Sequence, residues 1–281
     1  MQPSVYQKTI ETLAEAGIES PRLEARLLIA DVSGVNVDDM PITPIIDDNM
    51  LENLNRNVAR RIEGMPLDKI LKHREFYKSD FEVSEDVLSP RPDTEILVEA
   101  ALKIIKENNL KNVLDLGTGS GCILLSLLAE IKDMQGVGVD VSKKALQIAQ
   151  KNTKKMRLSK RVTLIEKSWF DDGFLGSFQE PFDLIVSNPP YIETSEIEKL
   201  DISVRKYDPI VALDGGEDGL KHYRQIAEMA SFLLKDGGYI LLEVGYNQAE
   251  KVKQIFSDKG LVHMGTVRDL AQIDRVVIFK R

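Results

Sequence analysis

Phe182-Asp183-Leu184-Ile185-Val186-Ser187-Asn188-Pro189-Pro190-Tyr191 decides how this chain is read. Its first half is apolar and β-branched, broken only by Asp183, the pattern of a buried parallel strand. It then ends abruptly in an amide, two prolines and an aromatic ring, so a stiff loop follows the strand's C-terminal end. In open α/β sheets that is the end at which ligands bind. Each proline fixes φ and removes an N–H, and Pro190 also holds Pro189 extended, so the Pro189 carbonyl is presented as an acceptor in a preset direction. Asn188 adds a second acceptor through its side-chain oxygen. Two acceptors this close fit a conjugated NH2 group, either a carboxamide or an exocyclic base amine, and Tyr191 offers a face for a planar group. A sharp exit turn accounts for the same residues without a ligand, because Asn and Pro are common in turns. On the loop alone both readings stand.

Upstream, Val113-Leu114-Asp115-Leu116 is a short buried strand, Gly117-Thr118-Gly119-Ser120-Gly121 a turn, and Cys122 to Glu130 opens a helix. Gly136 to Asp140 gives a second strand ending in an acid, and Ser142 to Lys155 a second helix. Roughly 20 residues separate the glycine turn from Asp140, the distance at which a βαβ nucleotide site places its ribose-binding carboxylate. The glycine spacing is Gly-x-Gly-x-Gly rather than the dinucleotide Gly-x-Gly-x-x-Gly, so the turn favours adenosine binding without specifying a dinucleotide. The alternation continues through strands at Val162 to Ile165 and Phe182 to Ser187, a helix at Leu220 to Leu234, a strand at Gly238 to Val244 and a helix at Gln248 to Asp258. Val262 to Val267 and Arg275 to Phe279 close the sheet as a final pair. This order predicts an α/β fold with a doubly wound, Rossmann-like sheet and helices on both faces. Trp169, just past the third strand, either borders an adenine or caps the sheet as a core aromatic.

The N-terminal part has a different texture. Ser4 to Ala16 carries helical spacing and stops at Gly17; a second helix starts at Ser20 with Pro21 in its first turn and ends near Gly34. Pro41 and Pro44 mark a connection, and Asp47 to Glu63 reads as a third helix. Gly64-Met65-Pro66 breaks the pattern. Leu67 to Val87 alternates loosely around Lys78-Ser79-Asp80 as a β-hairpin. Ile96 to Glu107 follows as a helix, preceded by Arg91 between two prolines, where it reaches either an anion or solvent. The expected division is 1–64 as a helical domain, 65–90 as a hairpin linker and 91–281 as the catalytic domain.

Composition limits the function classes. Of 281 residues, 43% are apolar and 29% charged, ordinary for a globular protein with a packed core. A formal net charge of -8 and a pI near 5.1 argue against a broad electrostatic grip on nucleic acid. Cys122 is the single cysteine, which rules out an intrachain disulfide, and with three histidines no metal centre is expected. The N-terminus lacks a basic start followed by an apolar run, and no stretch approaches the ~20 apolar residues of a membrane span. A cytoplasmic protein without membrane association is the expectation.

An ordered series of motifs now identifies a family. Glu75-Phe76-Tyr77, Val87-Leu88-Ser89-Pro90-Arg91-Pro92-Asp93-Thr94-Glu95, Asp115 to Gly121, Asp140, Ser187 to Tyr191, Gly215-Gly216-Glu217-Asp218-Gly219-Leu220, Glu243-Val244-Gly245, and Asp269-Leu270 with Arg275 run in order from Pro66 to Arg275. In this the chain resembles the HemK/PrmC family of S-adenosylmethionine-dependent protein glutamine N5-methyltransferases, which modify the Gly-Gly-Gln glutamine of class 1 peptide chain release factors. Asn-Pro-Pro-Tyr alone is shared with amino methylases of adenine and guanine. Ser89 stands where the family usually has an apolar residue, and Asp208-Pro209 replaces Glu-Pro.

The resemblance implies a class I methyltransferase fold and S-adenosylmethionine as methyl donor, leaving S-adenosylhomocysteine. Gly117, Thr118, Gly119, Ser120 and Gly121 would line its methionine portion, Asp140 would bind the ribose hydroxyls, Trp169 would border the adenine, and Asn188 would also lie against it. Asn188 and Pro189 would hold the glutamine amide, with Pro190 and Tyr191 completing the substrate contacts. Release factors would be the protein partner, held by the helical domain; a monomer without a stable nucleic-acid partner is expected. A ribosomal-protein glutamine methyltransferase would share nearly all of this, a DNA or RNA amino methyltransferase would share the loop, and a cofactor-binding adaptor would keep the fold without the chemistry.

Overall fold

The computed structural model describes residues 4–40 and 45–281; Pro41 and Pro44 lie outside them. Two compact units result: residues up to Lys72 together with Ile202–Tyr207, and His73–Asp201 together with Asp208–Arg281.

In the first unit α1 (Val5–Glu15) starts where the Ser4 side chain accepts from the Gln7 N–H. The second helix, α2 (Pro21–Ser33), starts differently from the expectation built on Ser20. Ser20 stands at the cap but makes no side-chain cap bond; Pro21 preorganises the first turn, and Gly34 in the left-handed region ends the helix. In α3 (Asp48–Ile62) the Asp47 carboxylate accepts from Met50 N–H. Leu13, Leu28, Ile29, Leu54 and Val58 from these helices form one buried cluster with Ile70 and Tyr207. Ile70 belongs to α4 (Leu67–Leu71), which occupies the segment where alternation suggested the start of a hairpin. The turn closes because Pro66 presets its φ and its carbonyl accepts from Lys69 and Ile70 N–H at 3.1 and 3.2 Å.

The hairpin itself begins later. β1 (His73–Phe76) and β2 (Ser79–Glu82) pair antiparallel, and Asn152 bonds both backbone groups of Glu82, so the hairpin is part of the sheet unit. The chain then alternates: α5 (Thr94–Asn108), β3 (Asn112–Leu116), α6 (Cys122–Glu130), β4 (Gln135–Asp140), α7 (Lys143–Lys155), β5 (Val162–Glu166), β6 (Phe182–Ser187). After β6 come α8 (Ile202–Arg205), which clusters with the helical unit, then α9 (Lys221–Leu233), β7 (Leu234–Glu243), α10 (Ala249–Ser257), β8 (Val262–Arg268) and β9 (Asp274–Lys280). The seven-stranded sheet has the order β5-β4-β3-β6-β7-β9-β8, with every strand parallel except β9, which runs antiparallel to both of its neighbours β7 and β8.

Alternate residues of the parallel strands enter opposite cores. Leu114, Leu116 and Ile185 pack with Tyr223, Ile226, Val252 and Phe256 of α9 and α10. Val113, Leu184 and Val186 pack with Leu97, Val98, Ile123 and Leu127 of α5 and α6. This is the predicted doubly wound architecture. Asp183, the one polar break in the apolar run, holds two strands together. Its carboxylate accepts from Lys111 and Asn112 N–H at 2.9 and 2.8 Å and pairs with Lys235 at 2.8 Å, pinning the start of β3 beside β6.

Candidate active site

Strand order reverses between β3 and β6: the chain runs outward through β4 and β5, then returns to the other side of β3. Crevices form at the C-terminal ends of strands at such a switch point. Leu116 is paired with Ser187, and the buried Ser187 hydroxyl donates to the Leu116 carbonyl at 2.6 Å. The glycine turn and the Asn188 loop therefore leave the sheet side by side.

The turn is shaped by its neighbours. Gly117 and Thr118 N–H both donate to the Val139 carbonyl at 2.9 Å, and Gly117 has φ +76°, a left-handed conformation that glycine adopts without strain, beside the Trp169 ring. The two Asp140 oxygens accept one backbone N–H each, from Gly119 and Ser142, both at 2.9 Å. Burial pushes the Asp140 pKa up and those N–H groups oppose it without cancelling it. Each oxygen keeps a further acceptor site. Thr118, Ser120 and Gly121 lie on the far side of the turn: the Thr118 hydroxyl donates to Asp115 at 2.7 Å, Ser120 is buried, and Gly121 sits at the N-terminus of α6. Asp115 is fully buried, one of its oxygens has no hydrogen-bond partner, and burial pushes its pKa up to about 7.

A cavity of about 260 Å³ opens here, bounded by Gly117, Gly119, Asp140, Trp169, Asn188 and Pro190, with Val87, Leu88, Ala145 and Val211 adding an apolar wall. Six of the residues singled out in the sequence thus share one cavity; Thr118, Ser120, Gly121, Pro189 and Tyr191 do not line it. Pro189 is buried, while Tyr191 lines a second, more open cavity with Gly245, Gln248 and Arg275. The Asn-Pro-Pro-Tyr loop consequently touches two spaces, one at each of its ends.

Several residues that hold this arrangement carry no signal in the sequence. The Trp169 indole N–H donates to His222 Nδ1 at 3.2 Å, and His222 Nε2 donates to the Asp214 carbonyl at 3.0 Å, which fixes the neutral tautomer. Burial lowers the His222 pKa below its ordinary value. The Tyr191 carbonyl accepts from Gln248 Nε2 at 2.9 Å. Gly215 and Gly219 pass so close that a Cβ would stand 2.8 Å from the Tyr191 Cα and 2.5 Å from its carbonyl oxygen. The Gly215 to Leu220 motif stands out in the sequence, but only the fold shows that it lets two backbone segments touch. Arg91, flanked by prolines, pairs with Asp208 at 2.6 Å, so the Asp-Pro departure keeps a carboxylate in contact with it. Ser89, the other departure, is buried.

Asn188 itself donates through Nδ2 to the Thr94 hydroxyl at 3.2 Å, which turns the side-chain oxygen away from Thr94. A half-buried acid at the C-terminal end of β4, a glycine turn under an indole and an amide with an acceptor end turned from Thr94 suit a nucleoside with a sulfonium side chain.

Comparison with known proteins agrees. The PrmC N-terminal domain model matches residues 4–71 and the methyltransferase small domain model residues 92–204. The release factor glutamine methyltransferase of Geobacter sulfurreducens is 44% identical over 271 residues, covering 94% of this chain and 91% of that one. That of Agrobacterium fabrum is 41% identical over 276 residues, covering 96% and 93%. The chain belongs to the release factor glutamine methyltransferase family. Its fold is also that of the solved ribosomal protein L11 methylase of Lactobacillus delbrueckii subsp. bulgaricus, at 16% identity with a TM-score of 0.50, covering 74% of this chain and 90% of that one. As a family member it is a glutamine methyltransferase that uses S-adenosylmethionine, and the cavity fits that group: Asp140 has acceptor sites to spare, and the wall is apolar beside Trp169. No helix of the described residues is long and apolar enough to cross a membrane.

Proposed function

We propose that the chain methylates N5 of the glutamine in the Gly-Gly-Gln motif of class 1 peptide chain release factors, with Asn188 and Pro189 as the catalytic contacts. The observation that carries the reading is the Asn188 loop at the sheet's switch point, its amide NH2 engaged by Thr94 and its oxygen end left as an acceptor. Asp140 holds the ribose hydroxyls, Trp169 borders the adenine, and Gly117 and Gly119 let the backbone approach the methionine portion. When bound, S-adenosylmethionine supplies a methyl group on a sulfonium, ready for displacement.

The chemical difficulty lies in the acceptor. An amide nitrogen is a poor nucleophile because its lone pair is delocalised, the same resonance that gives a peptide bond its barrier of about 18–20 kcal/mol. The Asn188 oxygen and the Pro189 carbonyl each accept one N–H of the glutamine amide. That contact fixes the nitrogen's direction and favours the positive charge that develops on it. No general base is required, since the N-methylated, charged amide is strongly acidic and loses its proton after transfer. Tyr191 lies beside the amide, and the second cavity admits the polypeptide on either side of the glutamine. The N-terminal helical unit holds the release factor, the reaction is cytoplasmic, and the enzyme acts as a monomer.

Transfer of labelled methyl groups tests this. With an unmethylated release factor, a ribosomal protein and nucleic acid offered in parallel, label is expected on the release factor glutamine. Asn188→Ala is expected to lower kcat far more than it weakens cofactor binding; near-normal turnover by that variant would sink the mechanism.

A further inference from the structure

We propose that Glu243 and Thr94 are positioning residues for Asn188: together they hold the NH2 end of its amide, so that only the oxygen end is offered to the substrate. This rests on the role given to Asn188 above.

Glu243 ends β7, and the β6–β7 register pairs Ser187 with Leu242, so Glu243 and Asn188 are the next residues along neighbouring strands at the same sheet edge. Its side chain is buried at 3% exposure, and Oε2 has no hydrogen-bond partner. A carboxyl so far from water with an unpartnered oxygen costs stability that an apolar residue of similar size would not. Packing therefore does not explain it; a requirement for an acceptor does.

Three side chains converge there. Thr94, the first residue of α5 and also 3% exposed, accepts from Asn188 Nδ2 at 3.2 Å. Both Thr94 and Asn188 also lower the Glu243 pKa, which places their polar ends close to its carboxyl. An ionised carboxylate can only accept. With the Thr94 oxygen accepting from the Asn188 NH2, its proton is free to turn toward the Glu243 carboxyl. A set of acceptors accordingly selects the nitrogen end of the Asn188 amide. Flipping the amide by 180° would set its oxygen against those acceptors and present NH2 to the substrate amide, donor against donor.

The charged and titratable groups facing Glu243 come from several elements: Asp93 before α5, Arg275 of β9, Tyr191 of the loop, Tyr223 of α9 and Cys122 of α6. Arg275 is shared, pairing with Asp269 at 2.8 Å and with Asp93 at 3.0 Å. Burial pushes the Glu243 pKa up to about 7, the Thr94 bond, Arg275 and Asn188 opposing it and Asp93 adding to it. Protonation turns one acceptor into a donor. The positioning is therefore present above about pH 7 and is lost as pH falls through that value, so turnover gains a limb that rises with pH.

The test uses the full chain, saturating S-adenosylmethionine and an unmethylated class 1 release factor. Thr94→Val and Glu243→Gln are expected to lower kcat about 10- to 100-fold, the range for one charge-assisted hydrogen bond, with cofactor Kd changed less than about threefold. Thr94→Ser is expected to restore turnover, and Glu243→Gln to flatten the limb near pH 7. Turnover within about threefold of the parent in both variants overturns the proposal. So does a Thr94→Ser variant as slow as Thr94→Val, or a limb that persists in Glu243→Gln. Should Glu243→Gln fail to fold, the Thr94→Val and Thr94→Ser pair decides alone. Asn188→Ala separates the two levels. If it turns over normally, the role of Asn188 has failed; if it is inactive while the Thr94 and Glu243 variants are not, the positioning alone has failed.

Discussion

Replacing Asp140 by alanine is the most direct probe of the cofactor cavity. Each Asp140 oxygen accepts one backbone N–H at 2.9 Å and retains one acceptor site, so the carboxylate can take both hydroxyls of a ribose while still holding the glycine turn. Hydrogen bonds to a charged group contribute about 1.5–3 kcal/mol each, but two that share one carboxylate do not add fully. A loss of about 2–4 kcal/mol follows, or about 30- to 1000-fold in Kd. Gly119 N–H also loses its partner in the variant, which pushes the loss toward the upper end. Calorimetric titration with S-adenosylhomocysteine gives the number directly, and a thermal melt of the free protein checks that the fold persists. At saturating cofactor, kcat should fall by less than tenfold, because Asp140 is remote from the glutamine amide in this scheme. A folded variant whose Kd stays within about threefold of the parent would refute the assignment of Asp140 to the ribose.

Two further substitutions test the scaffold. Gly219→Ala places a Cβ 2.5 Å from the Tyr191 carbonyl at φ +71°, whereas Gly17→Ala meets nothing within 4 Å at φ +78°. Both carry a left-handed backbone cost of about 1–2 kcal/mol, but only Gly219→Ala should also shift the Asn-Pro-Pro-Tyr loop, so its kcat should collapse while Gly17→Ala loses melting temperature alone. His222 supplies a pH readout through Trp169, the single tryptophan. Its pKa is lowered in the folded state by burial first, with Lys221 adding to this and the Asp214 carbonyl opposing it. The unfolded chain thus takes up the proton first, near 6.5, and stability falls as pH drops from there toward the folded value. Protonation would set N–H against N–H at the Trp169 contact. Indole emission should therefore change with a midpoint below 6.5 and become flat in His222→Gln; a midpoint above that value contradicts the geometry.

What the sequence made legible is what neighbouring residues decide. The apolar run before Asn188 has the pattern of a buried strand, and its abrupt end marks a loop at the strand's C-terminal end that a ligand site or a plain exit turn explains equally; α6 and β6 begin and end where their patterns do. Asp140 was legible because the spacing from glycine turn to acid is set by one βα unit and the strand after it. The hairpin was misplaced at its start because Pro66 imposes a helical turn on residues whose side-chain alternation is weak. The segment after Tyr191 resisted reading for a different reason. Its short turns are held by contacts with distant residues, among them the Tyr191 carbonyl with Gln248 and Tyr207 with the Glu63 carbonyl.

Distance along the chain also explains why the orientation of Asn188 stayed hidden. Its partner Thr94 lies 94 residues upstream, at the start of a helix that sequence reading began two residues later, at Ile96. Glu243 is 55 residues downstream, counted from Asn188 to Glu243, on a strand that reads as wholly buried. An acid at the end of a buried strand is readable as an anomaly in any sequence. What it is for depends on the neighbouring strand and the facing helix, which only the fold supplies. The chemistry of the loop was therefore open to inspection from its own residues, whereas the control of which end of its amide meets the substrate belongs to three segments that meet only when the sheet is assembled.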